Sequence, residues 1–578
     1  MTNDRIADTF DQIADLLEFQ NANPFRVRAY RNGARVIRDL PDRLSAIVED
    51  EQRRLTDLDG IGKDLAEKIT TLITTGELRQ LNELLEQVPG TVLDIMRVPG
   101  LGPKKAAVLF NELGIQDLDQ LREACLAGKV RELKGFAVKT EQKILQGIEI
   151  AAAANERILW SDADRIAQEV LRHLKTCKSI EKIELAGSYR RGRETVGDLD
   201  VLVVSQDAEE IMDRFSELPD LASVSGRGDT KMSIRIHTGF QIDLRVVPAE
   251  SFGAALQYFT GSKDHNVTVR GMARQRGLKI NEYGVFQVDG DKETYIAGAS
   301  EAEVYATLDL PCFAPELREA REEFTWAEEE QMPTLIEVKD IRGDLHMHTT
   351  ATDGKASLQE MIDAARQRGL QYIAITDHSQ RVTMARGLDP KRVRQQWQEI
   401  DHINATLGDD FTVLKGIECD ILEKGGMDLP DDVLAEADWV LASVHYGQNQ
   451  PRNQINDRIL GALENPHVNA IAHPTGRLIN RREAYDVDLD LIMSTAKSQG
   501  KMLELNANPL RLDLNDVYCA AAKRHRIPIV ISTDAHSIDG LDCLRYGVLQ
   551  ARRAGLTKND VANTRTCAKF QKLIGARD

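Results

Sequence analysis

The C-terminal half of the chain contains short apolar segments that carry histidine, aspartate or glutamate towards their C-terminal ends. Seven of them lie between residues 343 and 536: GDLHMH, YIAITDH, VLKGIECD, WVLASVHYG, NAIAHP, MLELNAN and IVISTDAH. Stretches with helical periodicity, such as SLQEMIDAARQRG, separate them. Strands alternating with helices predict a β/α barrel, in which the C-terminal strand ends gather on one rim. A new domain is therefore expected to begin near Ile341.

The polar side chains at these predicted strand ends are of the types that bind metal ions. Six of the 12 histidines are among these side chains. Histidines two apart on a strand face the same way, and imidazole with carboxylate but no cysteine favours Mn²⁺, Zn²⁺ or Fe²⁺ with open positions for water. A metal centre is predicted on His346, His348, Asp353, His378, Glu418, His445, His473, Asp534 and His536.

A second candidate metal site lies upstream, in the segment KIELAGSYRRGRETVGDLDVLVVS at 182–205. IELAG and DLDVLVV are typical of strands, so Asp198 and Asp200 would project from one strand face. Asp243, in FQIDLRVVP, lies in another predicted strand. Two or three converging carboxylates can hold two divalent ions that activate a hydroxyl and stabilise a leaving pyrophosphate.

An internal repeat precedes this site: LDGIGKDLAEKI, VPGLGPKKAAVLF and LKGFAVKTEQKIL, beginning at residues 58, 98 and 133. Each copy has an apolar residue, a glycine turn and then a helix, whose first amide groups can bind phosphate. The pattern resembles the helix-hairpin-helix motif, which implies sequence-independent DNA binding through Gly60, Gly62, Gly100 and Gly102. The third copy has Ala137 in place of the second glycine, which leaves a purely structural role open.

The segment PFRVRAYRNGARVIR, at 24–38, contains five arginines and no acidic residue. Arg28, Arg31, Arg35 and Arg38 are three or four residues apart, so they predict one basic helix face. This face binds a DNA 5′ end or is simply a solvated surface. The net charge of −18 does not decide the question, because binding depends on local charge.

Length and composition restrict the general class of protein. A chain of 578 residues predicts about three to five domains of roughly 100–200 residues each. No apolar run reaches the ~18 residues that span a bilayer, and the first residues resemble no signal peptide. The seven cysteines are scattered and form no CxxC, which is typical of reduced thiols. A cytoplasmic protein without membrane contact is predicted.

The sequences GSYRRG, GDLDVLVV, IDLRVVP, LQYFTGSKDHNVTVR and INEYGVF, taken together with the repeats, resemble family X DNA polymerases over residues 1 to about 315. The resemblance implies α+β and α/β folds in several domains. These are a helical lyase-like DNA-binding domain at 1–85, a helix-hairpin-helix duplex-binding domain at 86–155, a nucleotidyltransferase palm with a mixed β-sheet at 156–250, and a small α+β, thumb-like, nucleotide-selecting domain at 251–315. A linker at 316–340 is predicted to precede the C-terminal domain at 341–578.

The same resemblance implies roles for individual residues, with Mg²⁺ or Mn²⁺ as cofactor. Asp198 and Asp200 would hold both metals, and Asp243 would hold the catalytic one and help to deprotonate the primer 3′-hydroxyl. Nucleotide-binding roles are implied for Ser188 and Arg191 at the triphosphate, Tyr258, Phe259 and Gly261 at the deoxyribose, Asn266 at the incoming base and Arg270 at the templating pair. Without the family, YFTGS is also compatible with a simple strand-to-helix junction.

Two positions depart from the family pattern. Gln241 replaces an arginine that several members carry before the third aspartate, so control of Asp243 is expected to differ. Lys68 matches the lysine that forms a Schiff base in relatives with 5′-deoxyribose phosphate lyase activity, which makes it a candidate catalytic residue. However, Lys63 directly follows Gly62, and Asp64 stands where a second lysine would be. Lys68 is equally compatible with a phosphate contact or a solvated position.

The C-terminal half resembles the PHP (polymerase and histidinol phosphatase) domain, which implies a distorted (β/α)7 barrel, up to three metal ions and phosphoester hydrolysis. Both halves together resemble the bacterial and archaeal family X polymerases. This implies filling of short gaps in base excision repair on gapped or primed DNA with dNTPs, and 3′-5′ exonuclease activity. AP endonuclease or 3′-phosphodiesterase activity is a further expectation. The alternatives are a histidinol-phosphatase-like phosphoesterase with a DNA-binding N-terminal half, and a non-catalytic DNA clamp.

Overall fold

The computed structural model describes residues 3–40, 44–50, 53–58, 60–96, 98, 101–153, 157–408 and 410–575. The chain forms two compact units, Met1–Glu156 and Arg157–Asp578. No helix within the described ranges is both long enough and apolar enough to cross a membrane.

The first unit contains helices and, among its described residues, no strand. Ile6, Phe10 and Leu72 lie in its buried apolar core. The helices are α1 (Asn3–Phe19), α2 (Pro24–Asp39), α3 (Leu44–Glu49), α4 (Lys63–Thr75), α5 (Arg79–Gln87), α6 (Val92–Met96), α7 (Pro103–Leu113), α8 (Leu118–Leu126) and α9 (Val138–Ala153).

The three sequence repeats form the same turn. In each, the amide of an apolar residue donates to the carbonyl three residues earlier, and the predicted helix begins two residues later. The donor and acceptor pairs are Ile61 and Leu58 (3.0 Å), Leu101 and Val98 (2.9 Å), and Phe136 and Leu133 (3.0 Å). The apolar donors are buried, so the turns are fixed to the core and the first helical amides lie at the surface side. The predicted starts of α4, α7 and α9 are thereby confirmed.

The second unit begins with a mixed sheet flanked by helices. Its elements are β1 (Ile158–Leu159), α10 (Trp160–Leu174), β2 (Ile180–Leu185), α11 (Gly187–Arg190), β3 (Thr195–Val196), β4 (Asp198–Ser205), α12 (Ala208–Phe215), β5 (Leu221–Arg227), β6 (Lys231–Ile236) and β7 (Gln241–Val246). The strand order is β2-β4-β7-β6-β5, with β4 and β7 parallel and the other neighbours antiparallel. Alternating burial along β6 and β7 leaves one face of the sheet for the polar side chains.

A small α+β region follows. It comprises α13 (Phe252–Thr260), α14 (Lys263–Gln275), β8 (Leu278–Asn281), β9 (Gly284–Asp289), β10 (Lys292–Ala297), α15 (Glu301–Ala306) and α16 (Glu323–Glu328). The antiparallel strands β8, β9 and β10 form its sheet. The acidic segment 316–340 is ordered and packed, because Glu316, Arg318, Glu319 and Glu323 are buried.

The remainder is a barrel of parallel strands alternating with helices. Its elements are β11 (Gly343–Asp344), α17 (Leu358–Gln367), β12 (Tyr372–Ile375), α18 (Pro390–Asn404), β13 (Thr412–Asp420), α19 (Asp431–Leu434), β14 (Trp439–Ser443), α20 (Arg452–Glu464), β15 (Ala470–Ile471), α21 (Leu489–Ser498), β16 (Met502–Asn506), α22 (Asp516–His525), β17 (Ile529–Ser532), α23 (Leu544–Arg553) and α24 (Cys567–Leu573). Its seven strands pair in chain order, β11 to β17.

Backbone hydrogen bonds beyond the first and last strands close this barrel. Met347 and Ala535 form a parallel bridge, and the His348 amide donates to the Ala535 carbonyl at 2.8 Å. Inside the ring, the fully buried Trp439 donates its indole N–H to the Leu345 carbonyl at 2.9 Å. The predicted (β/α)7 barrel is confirmed, and its C-terminal strand ends lie on the rim that carries His346 and His348.

Close packing at Gly253 positions α13, which carries Tyr258 and Phe259. A Cβ atom at residue 253 would overlap the backbone of Ser300, whereas one at Gly271 in α14 would meet nothing within 4 Å. Gly253→Ala should therefore lower the free energy of unfolding by about 1–3 kcal/mol, as overpacking does. Gly271→Ala is the matched control, and it should be neutral or stabilising by up to about 1 kcal/mol.

Thermal unfolding followed by circular dichroism would compare the two variants with wild type. Equal melting temperatures for Gly253→Ala and Gly271→Ala would contradict the packing argument.

Candidate active sites

The three predicted palm aspartates lie on one face of two adjacent strands. Asp200 on β4 pairs in register with Asp243 on β7, and Asp198 pairs with Gln241. Gly187, at the start of α11, backs onto this face, since a Cβ there would lie 2.6 Å from Oδ2 of Asp200. Within the described ranges, the donor atoms of these aspartates do not all approach within 4.8 Å of one another.

The electrostatics of this face favour a cation. Burial, with the charges of Asp198 and Asp243, raises the pKa of Asp200 to about 7. Burial and Asp243 also raise the pKa of Asp198. Oδ1 of Asp243 is buried and has no hydrogen-bond partner among the described residues. Carboxylates that repel one another and leave a buried oxygen unsatisfied fit divalent cations, which would bind oxygen ligands here.

Gln241, the predicted departure from the family pattern, connects Asp243 to a neighbouring strand. Nη2 of Arg235 on β6 donates to Oε1 of Gln241 at 2.8 Å, and Nε2 of Gln241 donates to Oδ2 of Asp243 at 3.1 Å. The guanidinium fixes which end of the amide faces the carboxylate. Asp243 is therefore oriented by an arginine two hydrogen bonds away.

The turn after β2 carries the two predicted triphosphate ligands. Ser188 lies in α11, and Arg191 follows its end. The Arg191 guanidinium donates from Nε to Oε1 of Glu319 at 3.0 Å and from Nη1 to the Thr260 carbonyl at 2.8 Å. Its neighbour Arg190 donates to the Thr260 hydroxyl at 2.8 Å. The palm turn is thus bound to the C-terminal end of α13.

The predicted deoxyribose-binding residues lie at this same helix end. The rings of Tyr258 and Phe259 pack edge to face with centroids 5.1 Å apart, and Gly261 ends the helix. Asn266 donates from Nδ2 to the Tyr258 carbonyl at 2.7 Å, which leaves little room at Gly261. The guanidinium of Arg245 lies 4.4 Å from the Phe259 ring centre, so this cluster contacts the aspartate-bearing β7. Arg270 is exposed one turn after Asn266.

The nine predicted barrel ligands meet on one rim, where eight of them form three overlapping groups with donor atoms within 4.8 Å. His348 belongs to the first and second groups, and His378 to the first and third. The groups are His348, Asp353, His378 and His536; His346, His348 and Asp534; and His378, Glu418 and His445. His473 joins them through Nε2, which lies 3.0 Å from Oε1 of Glu418.

Unsatisfied buried atoms in this rim fit bound metal ions. In the part of the chain that the structure describes, Nε2 of His346, Nδ1 of His348 and Oε2 of Glu418 have no hydrogen-bond partner. Nδ1 of His378 lies 2.8 Å from that Glu418 oxygen, yet the angles do not make a hydrogen bond. A dry site with so many unpaired donors and acceptors would be costly, whereas shared cations would satisfy them. The number of bound ions stays a prediction, because the three groups share His348 and His378.

The carboxylates and imidazoles of the rim differ in protonation. Burial, together with His378 and His536, lowers the pKa of His348 to about 3, so this ring is neutral and able to bind metal. Burial alone would lower the pKa of His378, but Glu418 and Asp353 raise it to about 10. Burial would raise the pKa of Glu418, but the surrounding histidines, led by His378, hold it well below its ordinary value.

Further buried carboxylates, which the sequence patterns did not single out, hold these ligands in place. Glu504 accepts from Nδ1 of His346 at 2.6 Å and from the His473 amide at 2.7 Å. Asp420 accepts from the His445 amide at 3.0 Å. Both lie on the buried strands β16 and β13, inside the segments MLELNAN and VLKGIECD. A carboxylate within an otherwise apolar strand was the available signal.

The predicted DNA-binding residues of the first unit differ in backbone conformation, in the space around them and in exposure. Gly60 has φ +86°, and a Cβ at Gly62 or Gly102 would meet nothing within 4 Å, while Gly100 lies outside the described residues. Arg28 is exposed and stacks on Phe25.

Arg31 binds carboxylates of α1: Nη1 lies 3.3 Å from Asp11, and Nη2 contacts Asp15. The predicted basic face is therefore partly neutralised within the unit. Lys68 forms an ion pair with Asp64, one turn earlier in α4.

Family models match five stretches of the chain. They are a helix-hairpin-helix domain at 1–78, a SAM-like helix-hairpin-helix tandem at 92–149, a DNA polymerase beta palm at 157–224, a DNA polymerase beta thumb at 255–319 and a PHP domain at 344–508. A DNA polymerase/3′-5′ exonuclease PolX from Bacillus subtilis (strain 168) is 42% identical over 578 residues, which cover 98% of each chain. The chain belongs to the PolX family.

Two further relatives match one part of this PolX-family chain each. DNA polymerase lambda of Rattus norvegicus is 26% identical over 287 residues, 45% of this chain and 47% of that protein. A probable phosphatase of Thermoanaerobacter sp. (strain X514) is 26% identical over 236 residues, 38% of this chain and 89% of that protein. The resemblance to family X polymerases with a PHP domain is confirmed, and with it a dependence on divalent metal.

Glu504→Gln tests the carboxylate layer behind the barrel ligands. Because Glu504 orients His346 and raises its basicity, the variant should bind Mn²⁺ about 10–100-fold more weakly than wild type. Isothermal titration of metal-stripped protein with Mn²⁺ would measure this. Asp438→Asn is the control, since Asp438 caps the Lys415 amide at the opposite end of the strands and should leave Mn²⁺ affinity unchanged. Equal affinities for all three proteins would refute the role.

Proposed function

We propose that this chain is a gap-filling DNA polymerase whose barrel degrades DNA from the 3′ end. The observation that carries the proposal is the presence of two separate sets of metal-ligand side chains. One is a carboxylate set built on β4 and β7, and the other is a mixed imidazole and carboxylate set on the barrel rim. The 42% identity to a PolX polymerase/exonuclease over nearly the whole chain supports assigning both activities.

The carboxylate set suits Mg²⁺ or Mn²⁺, since both accept oxygen ligands. Such ions, when bound, supply activation of the attacking hydroxyl and stabilisation of pyrophosphate. Asp198 and Asp200 would hold both ions, while Asp243 would hold the catalytic one and take the proton of the primer 3′-hydroxyl. The relay from Arg235 through Gln241 would hold the Asp243 carboxylate in a fixed orientation.

Nucleotide binding is proposed for the residues around the end of α13. Ser188 and the clamped Arg191 would bind the triphosphate, because a guanidinium matches phosphate oxygens. Tyr258, Phe259 and Gly261 would pack against the deoxyribose and exclude a 2′-hydroxyl, and Asn266 would contact the incoming base. Arg270 would reach the templating pair, consistent with its exposed position on α14. The DNA substrate would be gapped or primed.

The rim set suits Mn²⁺, Zn²⁺ or Fe²⁺, because imidazole prefers softer cations than carboxylate does. Ions bound there supply a metal-activated water for phosphoester hydrolysis. The neutral His348 and the ionised Glu418 are ready to bind metal without losing or gaining a proton. Hydrolysis at DNA 3′ ends, including AP endonuclease or 3′-phosphodiesterase action in base excision repair, remains a prediction, as does a cytoplasmic location.

The helical unit is proposed to hold DNA by its helix-hairpin-helix turns. The domain boundaries at residues 85, 155, 250, 315 and 340 stay a prediction. Arg28 and Arg31 would contact a 5′ phosphate, although Arg31 must first leave its carboxylate partners. Lyase activity at Lys68 stays a prediction. The ion pair with Asp64 opposes it, because a Schiff base requires the neutral amine.

The two alternatives are less well supported. A histidinol-phosphatase-like enzyme would have no use for the in-register pair of Asp200 and Asp243 or for the clamped Arg191. A DNA clamp without catalysis would have no use for nine potential metal ligands on one rim, because their unsatisfied buried atoms are costly.

The two activities should be separable by mutation. Asp200→Ala should reduce extension of a gapped, radiolabelled duplex by at least about 100-fold and leave 3′ degradation intact. His346→Ala combined with His348→Ala should do the reverse, since loss of a direct ligand exceeds the ~10–100-fold effect of a supporting residue. Both activities would be measured on each variant with Mg²⁺ and then with Mn²⁺.

The controls are Asp213→Ala, an exposed carboxylate on α12, and His402→Ala, an exposed imidazole on α18. Both should retain both activities. If the histidine variant still degrades 3′ ends, or if Asp200→Ala abolishes degradation too, the assignment of two independent sites is wrong.

Gly102→Val tests backbone binding by the helix-hairpin-helix turns. The structure leaves space for this side chain, because a Cβ there meets no protein atom within 4 Å. The variant should fold normally but bind unrelated DNA duplexes equally weakly, since a phosphate backbone could no longer approach the α7 amides. Fluorescence anisotropy at several salt concentrations would measure affinity. A loss confined to one DNA sequence would contradict the proposal.

A further inference from the structure

The palm turn that carries Ser188 and Arg191 rests on helix α23 of the barrel. The Gly192 carbonyl accepts from Nε2 of Gln550 at 2.9 Å, and the Arg191 carbonyl accepts from Nη1 of Arg553 at 2.8 Å. Gly192 has φ +67°, and a Cβ there would lie 2.5 Å from Cγ of Leu549. The backbone of the turn is therefore held directly by the barrel.

Glu319 joins the same helix to the Arg191 side chain. Its Oε1 accepts from Nε of Arg191 at 3.0 Å and from Nη1 of Arg553 at 2.9 Å. Burial would raise the pKa of Glu319, but Arg553 and Arg191, helped by Arg193, lower it to about 2. The carboxylate is thus charged and shared between a palm arginine and a barrel arginine.

Arg553 is itself fixed on its other side. Its side chain is 2% exposed, and it binds Oδ2 of Asp516 on α22 through Nε at 3.0 Å and Nη2 at 2.8 Å. Arg321 also contacts that oxygen at 3.0 Å. Charges buried this completely are stable only when all are paired, so loss of one member releases the others.

The clamp leaves one edge of Arg191 for a ligand. Nε binds Glu319 and Nη1 binds the Thr260 carbonyl, whereas Nη2 has no hydrogen-bond partner among the residues that the structure describes. A guanidinium held from behind in this way presents its remaining N–H groups in a fixed direction. It would bind an anionic ligand without paying again for side-chain ordering.

We propose that Arg553 is a positioning residue for the polymerase nucleotide site, which makes the barrel a working part of that site. Through Glu319 it holds the Arg191 side chain, and through the Arg191 carbonyl it holds the turn that carries Ser188. The inference rests on the proposed polymerase function, because it assigns the triphosphate of a dNTP to the clamped arginine.

The test is single-nucleotide gap filling by Arg553→Met, which keeps the apolar stem and removes the charge. KM for the dNTP should rise about tenfold, the cost of ordering one released arginine, while kcat changes little. The dissociation constant of the dNTP on a gapped duplex with a dideoxy-terminated primer should rise equally. Degradation of 3′ ends should stay at the wild-type rate. Arg553→Lys keeps a donor for the carbonyl and should restore part of the affinity.

Arg552→Met is the matched control. Arg552 is the preceding residue of α23 and binds Glu316 at 2.6 Å, so its loss removes a similar ion pair. Within the described part of the chain, this pair makes no contact with the palm turn. It should leave KM unchanged. Gln550→Leu removes only the bond to Gly192 and should raise KM less than Arg553→Met does, which keeps the test valid if the latter folds poorly.

An unchanged KM for Arg553→Met, or an equal rise for Arg552→Met, would overturn the positioning role while leaving the polymerase assignment intact. Failure of the wild-type protein to insert any nucleotide would instead refute the proposed function itself.

Discussion

Closure of the parallel sheet is the constraint on which the barrel site depends. Parallel strands present their C-terminal ends on one side, and a ring brings those ends into a common centre. The bridge between Met347 and Ala535 closes the ring next to His346, His348, Asp534 and His536. Donors from the first strand and from the last, separated by almost 200 residues in the chain, thereby belong to one metal-binding group.

Buried carboxylates in the second unit have opposite kinds of surroundings at Asp200 and at Glu319. Around Asp200, burial and the charges of two neighbouring carboxylates raise the pKa of Asp200, so the site gains stability when cations enter it. Around Glu319, each buried charge is matched by protein groups and needs no ion. The first arrangement is suited to binding and chemistry, and the second to holding parts of the protein at fixed positions.

Much of the fold and of the candidate sites could be predicted from the sequence, because the relevant signals are local. Strand ends, glycine turns and the two-residue spacing of Asp198 and Asp200 all follow from backbone geometry. Partners distant in sequence were harder to predict. The carboxylates that bind Arg31 and Arg38 recur on α1 at positions 8, 11, 15 and 18, a spacing complementary to that of the arginines, but only the packing of α1 against α2 pairs them.

The segment 316–340 is a second example of contacts with residues distant in sequence that could not be predicted. Its acidic composition is typical of solvated chain, yet Glu319 is buried between Arg191 and Arg553, and Glu323 lies 2.9 Å from the buried His265. The composition of a segment gives the charge of that segment, but it does not give the charges of the residues that will pack around it. Glu504 was not predicted for a related reason. A carboxylate in an apolar strand indicates a buried charge, but it does not indicate which histidine of another strand that charge will meet.

The contact between Gly192 and Leu549 has a consequence for how such chains can recombine. The palm turn has a glycine where the Leu549 side chain of the barrel packs against it, so the two surfaces are complementary in shape. A polymerase half with any other residue at position 192 would bring a side chain into the leucine, and it would hold that residue at a strained positive φ. A barrel removed from this chain would leave a notch in the palm turn. A polymerase half and a barrel that are exchanged between relatives must therefore keep a glycine on the palm turn opposite the leucine of α23.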